Sequence, residues 1–159
     1  MKFPRVVRLD SSDLRVFPRA AEPGEWAVPG SFAYVDGDPV GWDNKEKLAF
    51  QCGWLGTGSF GRSSMVEVAE ITEAEFFGVV ERLAGHFVEL YGAPDLAAAL
   101  PAAREEADHA ASLCDHKAHS LLALERQFDD GRVIERFRLI RPERARDHAR
   151  IWEIVEEPE

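Results

Sequence analysis

The chain has 159 residues, of which 45% are hydrophobic and 30% are charged, and its formal net charge at pH 7 is -10. This length fits one domain, residues 1–159, with a core large enough to fold without disulfides. The composition excludes a disordered or fibrous protein. The negative charge argues against binding to nucleic acid or anionic membranes, because phosphate contacts depend on Lys and Arg.

Targeting signals and membrane spans are absent from the sequence pattern. The N-terminal MKFPRVVRLD has neither the apolar stretch nor the small-residue cleavage site of a signal peptide. No apolar run approaches the roughly 18 residues that span a bilayer. Cys52 and Cys114 form no C-x-x-C pair and are interpreted as reduced thiols. Together these features predict a cytoplasmic protein without membrane contact.

Short strands separated by turns are predicted for the first part of the chain. Apolar and β-branched residues indicate strands over Arg5–Leu9, Leu14–Phe17 and Ser31–Val35. Asp43 is a suitable N-cap for a helix over Asn44–Cys52, because a glutamate follows it three residues later.

Two longer helices are predicted in the middle of the chain, after a strand over Ser63–Ile71. The first helix covers Glu73–Tyr91, because apolar residues recur at helical spacing after a Thr72–Glu75 capping box. The second covers Asp95–Cys114, and Pro101 is expected to break or kink it near its start.

A β-hairpin is predicted near the C-terminus. Its strands cover Ser120–Phe128 and Arg132–Arg141, and they are joined by Asp130-Gly131, which is typical of a type I′ turn. A slip of one residue would place like charges opposite each other, which is unfavourable. The two-residue loop instead predicts four compatible cross-strand pairs: Glu125 with Arg136, Arg126 with Glu135, Leu124 with Phe137, and Leu122 with Leu139.

The order of these elements predicts the fold class. Strands at both ends and helices grouped in the middle are typical of an α+β fold rather than of a parallel, doubly wound sheet. We therefore expect an antiparallel β-sheet with the two main helices, about 73–91 and 95–114, packed on one face, and a C-terminal hairpin or meander. Residues 149–156 are interpreted as a third strand of this meander, with a short helix as the alternative.

The segment LGTGSFGR contains the G-x-G-x-x-G pattern of nucleotide-binding loops at Gly56, Gly58 and Gly61. A kinase needs a lysine soon after this loop, but none occurs between Lys47 and Lys117. A Rossmann loop would open a helix, whereas a strand is predicted here, and a Walker A loop would need Gly-Lys-Ser/Thr. No cofactor is therefore expected, and the preferred interpretation of these candidate glycines is a turn with positive φ and close backbone approach.

A second group of residues has the chemistry of metal ligands. His109, Cys114, His116 and His119 lie close in sequence and offer groups that suit zinc or iron. Glu106 and His109 form one E-x-x-H motif, but the second copy that a di-iron site needs is absent. Cys114 continues the apolar stripe of its helix, which favours a buried structural thiol. The four residues are candidates, and no metal site is assigned to them.

Five sequence segments spread over most of the chain are distinctive: EPGEWAVPGSF (Glu22–Phe32), GWLGTGSFGRSSMVEV (Gly53–Val68), GAPDLAAA (Gly92–Ala99), SLCDH (Ser112–His116) and DGRVIERFRLIRP (Asp130–Pro142). Together they resemble a family of uncharacterised, mainly alphaproteobacterial proteins of about this length. The resemblance implies no activity, cofactor or catalytic residue, because the family has none assigned. Its members typically lack the complete G-x-G-x-x-G, and Pro101 departs from their pattern.

The leading functional hypothesis is a non-catalytic cytoplasmic protein that acts through assembly, as a homo-oligomer or an accessory subunit. It is based on the lack of a catalytic set, which also disfavours an enzyme, and on four tryptophans and an arginine-rich hairpin that suit an interface. One alternative is a metal-binding protein or metal-dependent enzyme that uses the four candidate ligands above. The other is a small-molecule binder whose pocket is covered by the glycine-rich loop, residues 53–61.

Overall fold

Antiparallel β-sheets and α-helices make up the computed structural model, which describes residues 1–142 and 152–156. The strands are β1 Lys2–Val6, β2 Ala27–Val28, β3 Trp54–Gly56, β4 Arg62–Ser63, β5 Val66–Glu70, β6 Leu121–Asp129, β7 Arg132–Pro142 and β8 Trp152–Glu156. The larger sheet has the strand order β1-β5-β6-β7-β8, and the smaller has the order β2-β3-β4. The predicted α+β fold is confirmed.

The helices Asn44–Cys52 and Glu73–Leu90 begin at the caps that the sequence predicts. Asp43 and Thr72 each form a capping box with the glutamate three residues later, which pairs two backbone N–H groups that have no partner inside the helix. Among the described residues, no helix combines the length and apolarity that crossing a membrane requires. The helices are α1 Ser12–Val16, α2 Asn44–Cys52, α3 Glu73–Leu90 and α4 Leu96–Ser112, and 3-10 turns cover Ser31–Tyr34 and Pro39–Gly41.

Two buried clusters hold the sheets and helices together. In the first, the apolar stripes of α3 and α4 pack on each other and on Phe3 of β1 and Val28 of β2. In the second, the fully buried Trp54 lies with Ala27 among residues of β1, β5 and β6. Because successive residues of a strand face opposite sides, the small sheet contributes to both clusters. The helix α2 packs separately on β6.

The C-terminal hairpin has the predicted register. Asp130 and Gly131 both have positive φ, at 55° and 80°, as a type I′ turn requires. A two-residue turn fixes the register of the strands that it joins. The pairs observed across β6 and β7 are the predicted ones: Glu125–Arg136, Arg126–Glu135, Leu124–Phe137 and Leu122–Leu139.

A third strand follows the hairpin. The strand β8 pairs antiparallel with β7, with Ile140 opposite Ile154. The strand interpretation of residues 149–156 is therefore correct for 152–156, while 149–151 lie outside the described residues.

The predicted strands near the N-terminus are wrong or displaced. Most of Leu14–Phe17 belongs to the helix α1, and Ser31–Val35 begins with a 3-10 turn. Gly30 has φ 76° and turns the chain just before this segment, which prevents its extension as a strand. The first strand is β1 rather than Arg5–Leu9, and it lies at the end of the sheet, where Pro4 is tolerated.

The predicted strand Ser63–Ile71 divides into β4 and β5. At the division, the Asp13 carboxylate of α1 accepts hydrogen bonds from the Ser64 hydroxyl at 2.8 Å and from the Ser64 N–H at 3.2 Å. Asp13 is buried, and a buried carboxylate requires such partners. This contact holds α1 against the connection between β4 and β5.

Pro101 is expected to break or kink α4, and the break does not occur. The helix continues without interruption from Leu96 to Ser112. Proline lacks the N–H that would bond to the oxygen of Ala97, and its ring crowds the same carbonyl. Packing of the helix after this point outweighs the lost hydrogen bond, through its fully buried alanines Ala103, Ala107 and Ala110.

Alanine at Gly61 and at Gly78 should change stability in opposite directions. A Cβ at Gly61 would lie 2.4 Å from the backbone oxygen of Ala20, and we expect a loss of about 1–3 kcal/mol in the free energy of unfolding. A Cβ at Gly78, inside α3, would meet no atom within 4 Å, and we expect a gain of about 1 kcal/mol. Urea unfolding measures both, and changes of equal sign would contradict the described packing.

Candidate functional site

The glycine-rich segment forms the turn between β3 and β4. The Gly56 N–H donates to the Gly61 oxygen at 2.9 Å, and the Phe60 N–H donates to the Gly56 oxygen at 3.0 Å. Positive φ occurs in this turn at Phe60, at 58°, and not at Gly56, Gly58 or Gly61. The prediction of positive φ at these glycines is therefore wrong.

The amides of this loop bind a carboxylate of the same chain. Glu25 Oε1 accepts hydrogen bonds from the N–H groups of Gly58 at 2.7 Å and Ser59 at 2.8 Å. Its Oε2 accepts from the Ser59 hydroxyl and from the Glu22 N–H, both at 2.6 Å. A Cβ at Gly56 would lie 2.4 Å from Glu25 Cδ. The predicted close approach is thus confirmed, and amides of the kind that bind phosphate are occupied by Glu25.

Arg82 of α3 holds the opposite, carbonyl side of the loop. Its guanidinium donates to the Thr57 oxygen at 3.2 Å and to the Gly58 oxygen. The same guanidinium lies 5.5 Å from the centroid of the Phe60 ring. That ring stacks on His86, with centroids 3.8 Å apart and an interplanar angle of 5°. The loop is therefore fixed by a carboxylate on its amides and by a guanidinium on its carbonyls.

Removal of the Glu25 carboxylate should destabilise the protein and create a site for a free carboxylate. For Glu25→Ala we expect a loss of about 2–3 kcal/mol, because charged hydrogen bonds are lost and loop amides lose their partner. Acetate should restore part of the lost melting temperature by binding to these amides. Thermal unfolding in sodium acetate, compared with sodium chloride at equal ionic strength, measures the effect.

Glu22→Ala is the matched control, because the Glu22 side chain is exposed and its backbone N–H makes the contact to Glu25. Acetate should stabilise Glu25→Ala more than it stabilises the control or the unmodified protein. An equal gain in all three proteins would show that the loop amides do not bind acetate.

Arg126 is a buried arginine that joins the hairpin to α2 and to the chain before the first 3-10 turn. Its side chain is 0% exposed. It donates to the Phe50 oxygen at 2.8 Å, to the Ser31 hydroxyl at 2.6 Å and to the Pro29 oxygen. Its Nε lies 3.4 Å from Glu135 Oε2. Burial lowers the pKa of Arg126, and the charge of Glu135 opposes this effect.

Arg62 of β4 is a second buried arginine in the same region. Its guanidinium donates to the Gly53 oxygen at 3.0 Å, to the Gly30 oxygen at 3.4 Å and to the Pro29 oxygen at 3.5 Å. Burial lowers the pKa of Arg62 to about 10, so the side chain is still charged at neutral pH. Within the part of the chain that the structure describes, no carboxylate lies at ion-pair distance from it.

The ring of Tyr34 lies beside both buried guanidiniums. The Cζ atoms of Arg62 and Arg126 are 4.9 Å and 5.3 Å from its centroid. The Trp42 and Phe50 rings pack on Tyr34 with centroids 5.6 Å and 5.1 Å away. An aromatic ring attracts a cation through its quadrupole, more strongly in a dry environment. Tyr34 therefore stabilises two positive charges that have been removed from water.

Acidic side chains and a histidine complete this polar region. Burial acts to raise the pKa of Glu135, but His109 and Arg126 hold it below its ordinary value. His109 Nε2 lies 3.9 Å from Glu135 Oε1, and the interaction with Glu135 raises the pKa of His109. Glu106 accepts a hydrogen bond from the Gly30 N–H at 3.1 Å, and burial raises the pKa of this carboxyl. His109 is thus an ion-pair partner between α4 and the hairpin.

A cavity of about 240 Å³ lies beside the buried arginines, and we call it the arginine–aromatic pocket. The loop of residues 53–61 contributes Phe60 to its wall. Rings and guanidiniums make up most of the lining, together with one carboxylate: Arg19, Tyr34, Trp42, Glu46, Phe60 and Arg62.

The candidate metal ligands lie in separate environments. His109 faces the hairpin carboxylate described above, and His119 Nδ1 lies 2.8 Å from Glu67 Oε1. Cys114 is buried, which raises the pKa of its thiol to about 12, and His116 lies in the connection to β6. Across the residues that the structure describes, no three His, Cys, Asp or Glu side chains are grouped so as to hold a metal ion.

The two buried arginines are not among the site residues predicted from the sequence. For Arg126 a signal exists, because the alternation along β6 places it on the same face as the buried Leu122 and Leu124. For Arg62 the sequence offers no such signal. Its strand has two residues and so shows no alternation of buried and exposed positions, and it donates to the carbonyl of Gly30, which is distant in sequence.

Comparison with known proteins gives one family match. The model of a family of unknown function, DUF6505, matches residues 1–154, and the chain belongs to this family. The resemblance to a family of unknown function is thereby confirmed. No curated protein and no solved structure is detectably similar to the chain.

Proposed function

We propose that this member of the DUF6505 family binds a small organic anion in the arginine–aromatic pocket. The observation that carries the proposal is Arg62, a buried guanidinium that lines the pocket. Its partners in the described structure are backbone oxygens, which accept hydrogen bonds from Nη1 and Nη2 but do not neutralise its charge. An anionic ligand supplies the missing negative charge.

The charge of Arg62 makes this proposal energetically reasonable. Burial lowers its pKa only to about 10, so the cation persists at neutral pH. An incompletely paired buried charge is unfavourable by several kcal/mol. A bound anion at the pocket offsets this penalty, and it gains charge-assisted hydrogen bonds that are stronger than neutral ones.

Arg19 provides a second cationic group at the same pocket. Its side chain is exposed, and in the described part of the chain its guanidinium has no ion-pair or hydrogen-bond partner. The protein as a whole has a net charge of -10 and therefore repels anions in general. Two arginines at one pocket of an acidic protein therefore favour a specific anion site over non-specific attraction of anions to the protein surface.

Arg19→Gln should abolish anion binding without unfolding the protein, because Arg19 makes no described side-chain contact in the structure. A panel of small carboxylates and inorganic phosphate would be tested by thermal unfolding and calorimetry. A ligand at 100 times its Kd should stabilise the unmodified protein by about 2.7 kcal/mol. This gain should be lost in the variant.

Arg15→Gln is the matched control, because Arg15 is also exposed and close in sequence, but does not line the pocket. It should bind the anion as the unmodified protein does. The proposal is wrong if no anion in the panel binds, or if both variants lose binding equally.

Assembly of two copies of the chain is a second candidate function. Large apolar side chains are exposed around the connection between α3 and α4: Leu90 at 66%, Tyr91 at 46%, Leu96 at 55% and Leu100 at 40%. Leu96 and Leu100 are four residues apart on α4 and share a face. Exposed apolar residues that cluster favour an interaction surface, and a second copy is the simplest partner because symmetric dimers are the commonest oligomers.

Leu96→Glu should shift the protein from dimer to monomer if this surface mediates assembly. Light scattering coupled to size exclusion measures the mass directly. Leu9→Glu is the control, because Leu9 is similarly exposed, at 53%, but belongs to the N-terminal region. A monomeric mass for the unmodified protein at high concentration would contradict the assembly hypothesis.

A cytoplasmic location is part of the same proposal. Cys52 and Cys114 are both free thiols, and unpaired cysteines suit a reducing compartment. The net charge of -10 supports a small molecule or a protein, rather than nucleic acid, as the partner.

A further inference from the structure

We infer that the ligand of the arginine–aromatic pocket is a small aromatic monocarboxylate. The inference rests on the proposed function and adds the chemical class of the ligand. The ring of such a molecule fits among the aromatic side chains of the pocket, and its carboxylate fits against the two guanidiniums.

Aromatic rings from three separate parts of the chain line the pocket. Tyr34 belongs to the first 3-10 turn, Trp42 precedes α2, and Phe60 belongs to the glycine-rich loop. The Tyr34 and Trp42 rings meet edge to face, with centroids 5.6 Å apart and an interplanar angle of 68°. Rings attract one another in such arrangements beyond the effect of the area that they bury. The lining therefore favours an aromatic ring over a saturated group of the same size.

Phe60 is held at the pocket wall in an unfavourable backbone conformation. Its φ of 58° lies in the left-handed region, which is rare for a bulky side chain. Stacking on His86 and the contact with Arg82 keep the ring in place. Residues kept in such conformations concentrate at ligand sites. Here the conformation brings the ring of a turn residue to the pocket.

The charges that line the pocket match a single negative charge. Arg19 and Arg62 contribute two positive charges and Glu46 one negative charge, which leaves a net charge of +1. A carboxylate accepts two parallel hydrogen bonds from a guanidinium. A phosphate dianion exceeds this charge, and the neighbouring loop amides that would favour phosphate are occupied by Glu25.

The size of the cavity favours a small ligand. Its volume of about 240 Å³ is below the roughly 300–1,000 Å³ of pockets for drug-sized molecules, so it suits a single substituted ring. Trp42 forms one wall, in a segment whose described backbone hydrogen bonds join near neighbours: Gly37 N–H to the Tyr34 oxygen at 3.0 Å and Trp42 N–H to the Pro39 oxygen at 3.2 Å. The Trp42 ring also packs on Phe50 and Phe128, with centroids 5.5 Å and 6.0 Å away, which fixes this wall of the pocket.

Calorimetric titration of the full chain with four probes tests the class of ligand. Benzoate should bind at one site per chain, at least about fivefold more tightly than cyclohexanecarboxylate, which lacks aromaticity. Benzamide, which lacks the charge, should also bind more weakly, and inorganic phosphate should not compete with benzoate. Circular dichroism confirms that each variant used below is folded.

Variants of Trp42 connect this preference to the pocket. Trp42→Leu should reduce the affinity for benzoate to that for cyclohexanecarboxylate, whereas Trp42→Phe, which keeps a ring, should retain the preference. Phe77→Leu is the control, because Phe77 is an aromatic residue 46% exposed on α3 and does not line the pocket.

Different results separate failure of this inference from failure of the proposed function. Equal affinities of the unmodified protein for benzoate and cyclohexanecarboxylate overturn the aromatic class but leave an anion site. If phosphate binds more tightly than benzoate and this binding depends on Arg19, the aromatic class is also overturned and an anion site remains. If no anion binds, both the inference and the proposed function are wrong.

Discussion

Backbone carbonyls that face the protein interior are the constraint on which this structure depends. The turn at Pro29 and Gly30 leaves its oxygens without strand partners, and α2 ends with open carbonyls such as that of Phe50. Buried oxygens of this kind require donors. Arg62 and Arg126 supply them, because one guanidinium offers five N–H groups in a fixed plane. The small sheet, α2, the turn and the hairpin meet at these two side chains.

The two buried arginines also give the candidate site its positive charge. A carbonyl oxygen accepts a hydrogen bond from a guanidinium but does not cancel the charge of that group. Each buried guanidinium therefore remains a positive charge inside the protein. Glu135 compensates Arg126, whereas Arg62 relies on the ring of Tyr34 and on carbonyls. Replacing Arg62 would therefore disturb both folding and binding. The exposed Arg19 is the position at which the two effects separate.

Short sequence motifs predict those parts of the fold that are stabilised by contacts between residues close in sequence. The cap at Thr72 and the Asp130-Gly131 turn act on adjacent residues, so α3 and the hairpin register follow from sequence. The 3-10 turn at Ser31–Tyr34 does not follow from sequence in this way, because it combines the left-handed Gly30 with a hydrogen bond from Arg126, 95 residues away, to Ser31. The alternation of buried and exposed residues along β6 predicts that Arg126 is buried. The occupancy of the glycine-rich loop by Glu25 is not, because the partners are 33 residues apart with no periodic pattern between them.

The occupied glycine-rich loop has a consequence for what a substitution at position 25 would do. Main-chain amides provide most of the contacts to the Glu25 carboxylate. Substitutions of loop side chains leave these amides in the chain. One substitution at position 25 would expose a preorganised receptor to solvent anions, with no need to invent a new loop. The glycine-rich loop is therefore an anion receptor whose ligand is a side chain of the same chain.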